Sequence, residues 1–375
     1  MPFYNKLKAE NEADRRTAEG LMRLKAQMDA SVPKKDLDKH LLVATWNLRE
    51  FGAAKYGPRT QESMYYIAEV MSHFDLIAVQ EVRSDLKALD QLMDILGQSM
   101  WKYLVTDVTQ GRQGNNERLA FIYDTRKLSF GGLAGEIVPE QVKRADGTLA
   151  ADSAYARSPY MVGFRAGWFR FSICTGHAYY GEGEKDPQRV KEMAELVRQL
   201  QKRVNDPDRW ARNVILLGDF NIFSEKDPAM ASLTKAFTRP MALASGTLGT
   251  NQDQTKPYDQ IGFISPDVAY QLEKAKAGVF NMYDSVYRMD ADEGLYPWNK
   301  TSARTFKEWR SYQVSDHLPM WVELKVDFAD EYLAGKARVP GPKASTPRLT
   351  QAAVKTAVTK KAAAKRPKKK ATEPG

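Results

Sequence analysis

The 375-residue sequence has only one cysteine and no long apolar stretch, the features that would mark a disulfide-bonded or membrane-spanning protein. Its one cysteine, Cys174, excludes an intrachain disulfide, which suits a reducing compartment, and its place in WFRFSIC is typical of a small core residue. No apolar run approaches the roughly 18–20 residues needed to cross a bilayer. The N-terminus alternates charges and lacks the apolar centre of a secretory signal, so we expect a cytoplasmic protein with no membrane partner.

Basic charge is concentrated at the C-terminus. Residues 336–375 hold 12 of the 56 lysines and arginines and one of the 47 acidic residues, which leaves 44 basic and 46 acidic side chains elsewhere. This tail is rich in Pro, Ala, Lys and Thr and is predicted to be disordered, because it has almost no large apolar side chain to bury. It either solubilises the protein or attaches it to nucleic acid, and the nearly neutral body favours a tether. KRPKKK also resembles a nuclear import signal, which matters only in a eukaryotic source.

The remaining chain divides into a charged helical extension over residues 1–40 and a globular domain over residues 41–335. Leu21, Leu24 and Met28 lie at helical spacing, so the extension contains a helix that packs on its own domain or on another chain, and we favour the first. Strands are predicted at 41–46, 76–80, 119–123, 160–165, 168–174, 214–217, 260–264 and 318–326. Helices are predicted at 61–73, 85–97 and 187–204.

Polar side chains recur where these predicted strands begin or end. They are Asn47, Glu81, His177, Asp219, Asn221, Asp259, Asp316 and His317. The ends of strands are held rigidly by the sheet, so these side chains can lie close together at one edge of two packed sheets. The set contains only oxygen ligands for a hard cation and imidazoles that move protons near neutral pH.

Such a set meets the needs of phosphodiester hydrolysis. Charge that builds on the phosphoryl oxygens must be offset, a water must be activated, and the leaving alkoxide must be stabilised. A Mg²⁺ held by carboxylates answers the first need, and two histidines on opposite sides of the phosphorus answer the others. Each histidine needs a carboxylate behind it to fix its tautomer, and Glu117 and Asp259 are available.

Seven sequence motifs carry a family resemblance over about residues 41–328. In chain order they are TWNLREFG, IAVQEVRSD, ERLAFIYD, GHAYYG, GDFNIFSE, YDQIGF and VSDHLPMW. Together they resemble the endonuclease/exonuclease/phosphatase superfamily, and within it the deoxyribonuclease I-like nucleases. The resemblance implies an α+β fold, a four-layer α/β/β/α sandwich of two packed mixed β-sheets flanked by helices.

The resemblance also implies roles for individual residues. Asn47 and Glu81 hold Mg²⁺ or Mn²⁺ with Asp316 nearby, and Asp219 and Asn221 bind and orient the scissile phosphate, Asp219 being a second potential metal ligand. His177 oriented by Glu117 and His317 oriented by Asp259 form the acid/base pair. Arg83 and Arg157 contact the nucleic acid. Without the family, each arginine is as readily a solvated surface residue.

Other features separate branches of the superfamily. His177 stands where abasic-site endonucleases carry a tyrosine, and the Glu117-Arg118 pair resembles the nuclease branch. Asn115 and Asn116 stand where the resemblance implies a tyrosine that packs in the DNA minor groove, so that mode of duplex binding is not predicted for this chain.

The sequence therefore predicts a metal-dependent endonuclease of low specificity that cuts DNA, and RNA as a second polymer, leaving 5′-phosphate ends. Two alternatives stay open: the same chemistry on a phospholipid or soluble phosphoester, and a non-catalytic nucleic-acid-binding protein. Oligomeric state is not encoded in any recognisable pattern.

Overall fold

A computed structural model describes residues 2–52, 58–109, 115–143, 145–151, 155–244 and 248–337. Its α-helices are α1 (Glu12–Ser31), α2 (Gln61–Ser72), α3 (Lys87–Leu96), α4 (Pro187–Asn205), α5 (Pro228–Thr234), α6 (Met241–Ala244), α7 (Met289–Asp292), α8 (Phe306–Gln313) and α9 (Ala329–Ala337). Short 3₁₀ helices cover Ala269–Gln271, Met282–Asp284, Glu293–Leu295 and Trp298–Lys300.

Thirteen strands are found in the described residues, and most belong to two mixed sheets. They are β1 (His40–Phe51), β2 (Leu76–Arg83), β3 (Trp101–Val105), β4 (Glu117–Asp124), β5 (Ser129–Glu136), β6 (Gln141–Lys143), β7 (Leu149–Ala151), β8 (Tyr160–Ala166), β9 (Phe169–His177), β10 (Asn213–Asp219), β11 (Asp259–Ile264), β12 (Ala277–Val279) and β13 (Met320–Lys325). The first sheet has the order β12-β13-β1-β2-β4-β3 and the second β11-β10-β9-β8-β5, with β6 and β7 paired separately.

The two sheets pack face to face with helices outside them. Successive side chains of a strand point to opposite faces, so each strand contributes to two layers of core. In β1, Leu41 and Val43 join the cluster between the sheets, whereas Leu42 and Trp46 join the cluster beneath α1, α2 and α3. A third cluster lies between the second sheet and α4 and α5. The predicted four-layer α/β/β/α sandwich is confirmed.

The helix of the N-terminal extension packs on the first sheet's helical layer. Asn11 caps its start by accepting hydrogen bonds from the backbone of Ala13 and Asp14, as short polar side chains do at helix N-termini. Leu21, Leu24 and Met28 are buried in the same cluster as residues of α2. The described residues contain no helix long and apolar enough to cross a membrane.

Predicted element boundaries differ from the observed ones mainly where apolar patterning is weak. Strand β5, SFGGLAGE, has three glycines and is exposed along nearly all of its length, so no alternation marks it in the sequence. Strands β3, β6, β7 and β12 are also missing from the predicted set, since they span five residues or fewer. Helix α9 is the last described element, and the tail beyond Ala337 lies outside the described residues.

Glu69 of α2 gives the helical layer a pH-dependent stability. Its side chain is fully buried, accepts a hydrogen bond from the Tyr4 hydroxyl, and lies 3.3 Å from the Lys25 ammonium. Burial raises the pKa of Glu69 to about 7, so the folded state prefers the protonated carboxyl. The stability gained from that preference is complete below the unfolded pKa of about 4.5 and is lost as pH rises through about 7.

Glu69→Gln is therefore expected to make the protein more stable than the wild type at pH 8, by up to about 3 kcal/mol, and to change little at pH 4.5. Urea unfolding at both pH values measures the difference. Glu19→Gln on the exposed face of α1 is the matched control. A Glu69→Gln effect that does not grow with pH would contradict the account.

Candidate active site

The polar residues singled out in the sequence meet at one end of both sheets. His177 and Asp219 end the parallel strands β9 and β10 and are register partners, and Asp259 begins β11 opposite Asp219. In the other sheet, Asn47 and Glu81 lie near the ends of the parallel strands β1 and β2. Because the two sheets pack face to face, the residues near these strand ends lie close together, as expected from their positions in the sequence.

Two histidine–carboxylate pairs face each other across this site. The Nδ1 atom of His177 lies 2.6 Å from Oε1 of Glu117, and Nδ1 of His317 lies 2.7 Å from Oδ2 of Asp259. All four side chains are buried. Each carboxylate fixes its imidazole so that Nε2 faces the opposite side.

Both Nε2 atoms converge on one oxygen of Asp219. Its Oδ2 atom lies 3.6 Å from Nε2 of His177 and 3.5 Å from Nε2 of His317. The amide nitrogen of Asn47 donates to the same oxygen at 2.9 Å. The other oxygen, Oδ1, accepts from the backbone of Asn221 at 3.0 Å, so the carboxylate is held from two sides.

The imidazoles and carboxylates of this group shift one another's pKa values towards the charged forms. Burial opposes charge on His177, but Glu117 and Asp219 help to raise the pKa of its imidazole above the ordinary value. Burial also opposes charge on His317, and Asp259 and Asp219 raise its pKa well above the usual range. Burial would raise the pKa of Asp219, but the imidazole charges hold it below its usual range. The two imidazoles therefore favour negative charge on the Asp219 oxygen that they face.

Backbone irregularities aim Asn47 and Glu81 into the site. The register of β1 on β2 shifts between Asn47 and Phe51, and that of β2 on β4 shifts between Val79 and Val82. Glu81 has a φ of 61°, which a non-glycine residue rarely adopts. Such bulges re-aim side chains next to active sites, and the strain is tolerated where the surroundings fix the conformation.

Gly218 permits the close approach of β9 and β10 beneath the histidines. It has a φ of 147°, and a Cβ built on it would overlap the carbonyl oxygen of Gly176. The two glycines are register partners immediately before Asp219 and His177. Gly218 must therefore lack a side chain, and its contact with Gly176 sets the spacing of His177 and Asp219, which follow.

The donor atoms suit a divalent cation. Asp219, Asp259 and His317 each place a ligand atom within 4.8 Å of the others, which makes them a possible metal site. Glu81 and Asp219 also flank the Asn47 amide, whose nitrogen donates to both carboxylates at 2.9 Å. Turning that amide by 180° would present its oxygen instead, completing an oxygen set of the kind that Mg²⁺ or Mn²⁺ prefers.

The electrostatics of Glu81 also fit a cation. Burial raises the pKa of Glu81, and the neighbouring carboxylates of Glu117 and Asp316 raise it further against the opposing charge of His177. Its Oε2 atom accepts from the Glu50 backbone at 2.7 Å, so the carboxylate is positioned by the chain as well. A divalent cation at this point would offset the surplus of negative charge.

The remaining predicted site residues lie around this centre. The Asp316 side chain is partly exposed, and its Oδ2 atom lies 3.4 Å from Nε of Arg49. Arg83 is half-buried and pairs with Glu50 at 3.1 Å, beside an open groove of about 420 Å³ that Asn115 and Asn116 also line. Arg157 is buried, with Nε 2.7 Å from Oε1 of Glu117. Arg157 therefore lies behind the His177 pair and supports Glu117.

Several supporting residues gave no signal in the sequence. Gln80 spans the interface between the sheets, donating to Thr45 at 3.1 Å and to Thr175 at 2.9 Å. Arg59 donates to the backbone of Leu48 and Arg49, which fixes the positive-φ stretch after Asn47. Their partners are far away in sequence, so only the folded structure reveals them.

Comparison with known proteins finds similarity in sequence and in fold. No family model matches the chain. Human deoxyribonuclease-1 is 26% identical over 301 residues, which cover 76% of this chain and 92% of that protein. An endonuclease/exonuclease/phosphatase family protein from Bacteroides thetaiotaomicron has a TM-score of 0.52 at 19% identity, covering 77% of this chain and 96% of the other.

A further solved structure, the human Nocturnin catalytic domain with a bound sulfate anion, has a TM-score of 0.50 at 13% identity and covers 77% of this chain and 95% of its own. These structural likenesses support the four-layer fold, and the deoxyribonuclease-1 match adds sequence similarity over nearly the whole length of that enzyme. The chain is therefore similar in sequence to deoxyribonuclease-1 and similar in fold to an endonuclease/exonuclease/phosphatase family protein.

Proposed function

We propose that this protein is a metal-dependent endonuclease that hydrolyses DNA with low sequence specificity and leaves 5′-phosphate ends. The observation that carries the proposal is the convergence of the His177 and His317 Nε2 atoms on one anionic oxygen, at 3.6 and 3.5 Å. A phosphoryl oxygen carries the same charge and accepts the same hydrogen bonds. The site is thus complementary to a phosphodiester held between two imidazoles.

The two histidines supply the proton transfers. One withdraws a proton from the attacking water while the other donates a proton to the departing oxygen, and after product release the two exchange protons with solvent. Glu117 and Asp259 keep each imidazole in the tautomer that presents Nε2. Asn47, Glu81 and Asp219 would hold Mg²⁺ or Mn²⁺, which supplies positive charge to the phosphoryl oxygens when bound.

Substrate contacts outside the centre follow from the surrounding charges. Arg83 lies at an open groove that Asn115 and Asn116 also line, where it would meet a phosphate of the same strand. Arg157 is enclosed behind Glu117, so its part in binding is to hold that carboxylate and, through it, His177. These roles make nucleic-acid affinity depend on Arg83 more than on Arg157.

Plasmid nicking tests the proposal directly. Purified protein is incubated with supercoiled plasmid and a series of divalent metals, alongside single-stranded DNA, abasic DNA, RNA, phospholipid vesicles and a soluble phosphomonoester. Metal-dependent conversion to open-circular plasmid is the expected result. Turnover of only the phospholipid or the monoester would establish that the enzyme acts on one of those substrates instead of DNA. If the protein binds DNA but turns over none of the substrates, it is a non-catalytic nucleic-acid-binding protein.

The basic tail is proposed to tether the enzyme to nucleic acid. Deleting residues 336–375 is expected to weaken DNA binding. The slope of log K against log salt concentration should become less steep by roughly 0.9 for each tail cation that had neutralised a phosphate. The value of kcat at saturating substrate should stay similar. Fluorescence anisotropy between 50 and 200 mM salt measures the affinity and this slope. A full-length chain with the tail lysines and arginines changed to glutamine is the matched control, and unchanged affinity at low salt would exclude the tether.

A further inference from the structure

Three aromatic rings, one of them exposed and two half-buried, form a triangle beside the candidate active site. The ring centroids of Tyr180, Phe223 and Tyr258, named here the aromatic platform, lie 5.4 to 6.2 Å from one another. Tyr258 also lies 5.7 Å from the imidazole of His317, with its plane tilted by 35°. The platform therefore continues the wall of the site away from the scissile position.

Buried polar residues hold this platform in place. Arg189 has no exposed side-chain surface, donates to the carbonyl oxygens of Tyr180 at 2.5 Å and Gly183 at 2.6 Å, and stacks 4.8 Å above the Phe223 ring. Glu192, also buried, accepts from the backbone of Tyr179 at 2.9 Å. A loop fixed by two buried charged residues presents its aromatic side chain with little loss of entropy on binding.

The platform is open to solvent although it is built from large rings. Tyr180 has 52% of its surface exposed, and Phe223 and Tyr258 are half-buried. The ammonium of Lys256 lies 5.6 Å from the Phe223 ring centre, which adds positive charge at the edge of the rings. Exposed rings beside a cation are the arrangement that proteins use to bind unpaired nucleobases.

We propose that the aromatic platform stacks an unpaired base of the strand being cut, next to the phosphate between His177 and His317. This inference rests on the proposed nuclease function and specifies its substrate, a single strand or a locally opened duplex. Base stacking on Tyr180 would supply an aromatic contact next to Tyr258, whose ring lies 5.7 Å from His317. Stacking is tolerant of sequence because every base has a π-face.

Equilibrium binding of a single-stranded DNA oligonucleotide tests the stacking. The oligonucleotide carries one 2-aminopurine, whose fluorescence falls on stacking, and EDTA prevents metal-dependent cleavage. Tyr180→Ala is expected to weaken binding about tenfold and to abolish the quenching, whereas Tyr180→Trp retains both. Tyr270→Ala, which removes a tyrosine that is 64% exposed on another surface, is the matched control and should bind as the wild type does.

Removing the base identifies which nucleotide is stacked. An abasic position is moved along the oligonucleotide, and at one position its cost to the wild type should match the cost of Tyr180→Ala, with no further loss when the two are combined. Additive losses at every position, or equal affinity of Tyr180→Ala and wild type, would overturn the inference. Intact binding and quenching by a protein that never cleaves DNA would remove the nuclease proposal and leave the stacking site.

Discussion

Replacing His317 with alanine is expected to lower kcat for DNA hydrolysis by about 10²–10⁴-fold, with KM changed much less. The imidazole is held by Asp259 and aimed at the central oxygen, so its loss removes a proton transfer but few groups that bind substrate. His177→Ala should have an effect of the same order, because His177 is held by Glu117 in the equivalent arrangement. Initial rates of plasmid nicking across substrate concentrations give both constants.

The matched control is His40→Ala, which removes a histidine paired with Asp36 at the opposite end of β1. That variant should keep the wild-type kcat, while circular dichroism and thermal unfolding show that all variants are folded. If His177→Ala and His317→Ala both cut plasmid at the wild-type rate, the two-histidine mechanism is wrong.

The same two variants assign the acid and the base. A DNA substrate with sulfur in place of the bridging 3′ oxygen has a leaving group that needs no proton, so it should restore most of the rate to the variant that lacks the general acid. The other variant should stay slow, because its deficit is in activating the water. Failure of the sulfur substrate to rescue either variant would mean that neither histidine protonates the leaving group.

Predicted site residues that lie at strand ends are brought together in the structure. His177, Asp219 and Asp259 follow or begin strongly apolar strands, and the structure pairs these strands in register so that the three side chains lie together. The apolar alternation that defines β1, β9 and β10 also fixes which side chains enter the core, so the four layers follow from the same pattern.

The sequence could not show features that depend on where distant segments meet. Asn47 and Glu81 were expected just beyond their strands, but both lie within strands that bulge, and the turn into the site comes from Glu81's positive φ. Arg157 was expected at a phosphate and lies behind Glu117, a contact that spans 40 positions of the chain. Such contacts are set by sheet packing, which local patterns do not encode.

Glu81→Gln is expected to weaken binding of Mg²⁺ or Mn²⁺ by at least about 100-fold and to reduce nicking at 1 mM metal in proportion. The substitution keeps the shape of the side chain and an acceptor for the Glu50 backbone, but it removes one negative charge from the proposed cation site. Isothermal titration with Mn²⁺, followed by nicking rates across metal concentrations, separates lost affinity from lost chemistry. A rate that recovers at high metal concentration indicates that Glu81 acts through the cation.

Two further variants distinguish the possible positions of the metal. If the cation is held by Asn47, Glu81 and Asp219, Asp259→Asn should keep most of the Mn²⁺ affinity while losing activity, because Asp259 then only orients His317. If the cation lies instead among Asp219, Asp259 and His317, Asp259→Asn should lose the affinity and Glu81→Gln should retain it. Asp85→Asn, an acidic residue at the outer groove, should bind as the wild type does. We expect the first pattern, because an imidazole bound to a cation could no longer transfer a proton through Nε2.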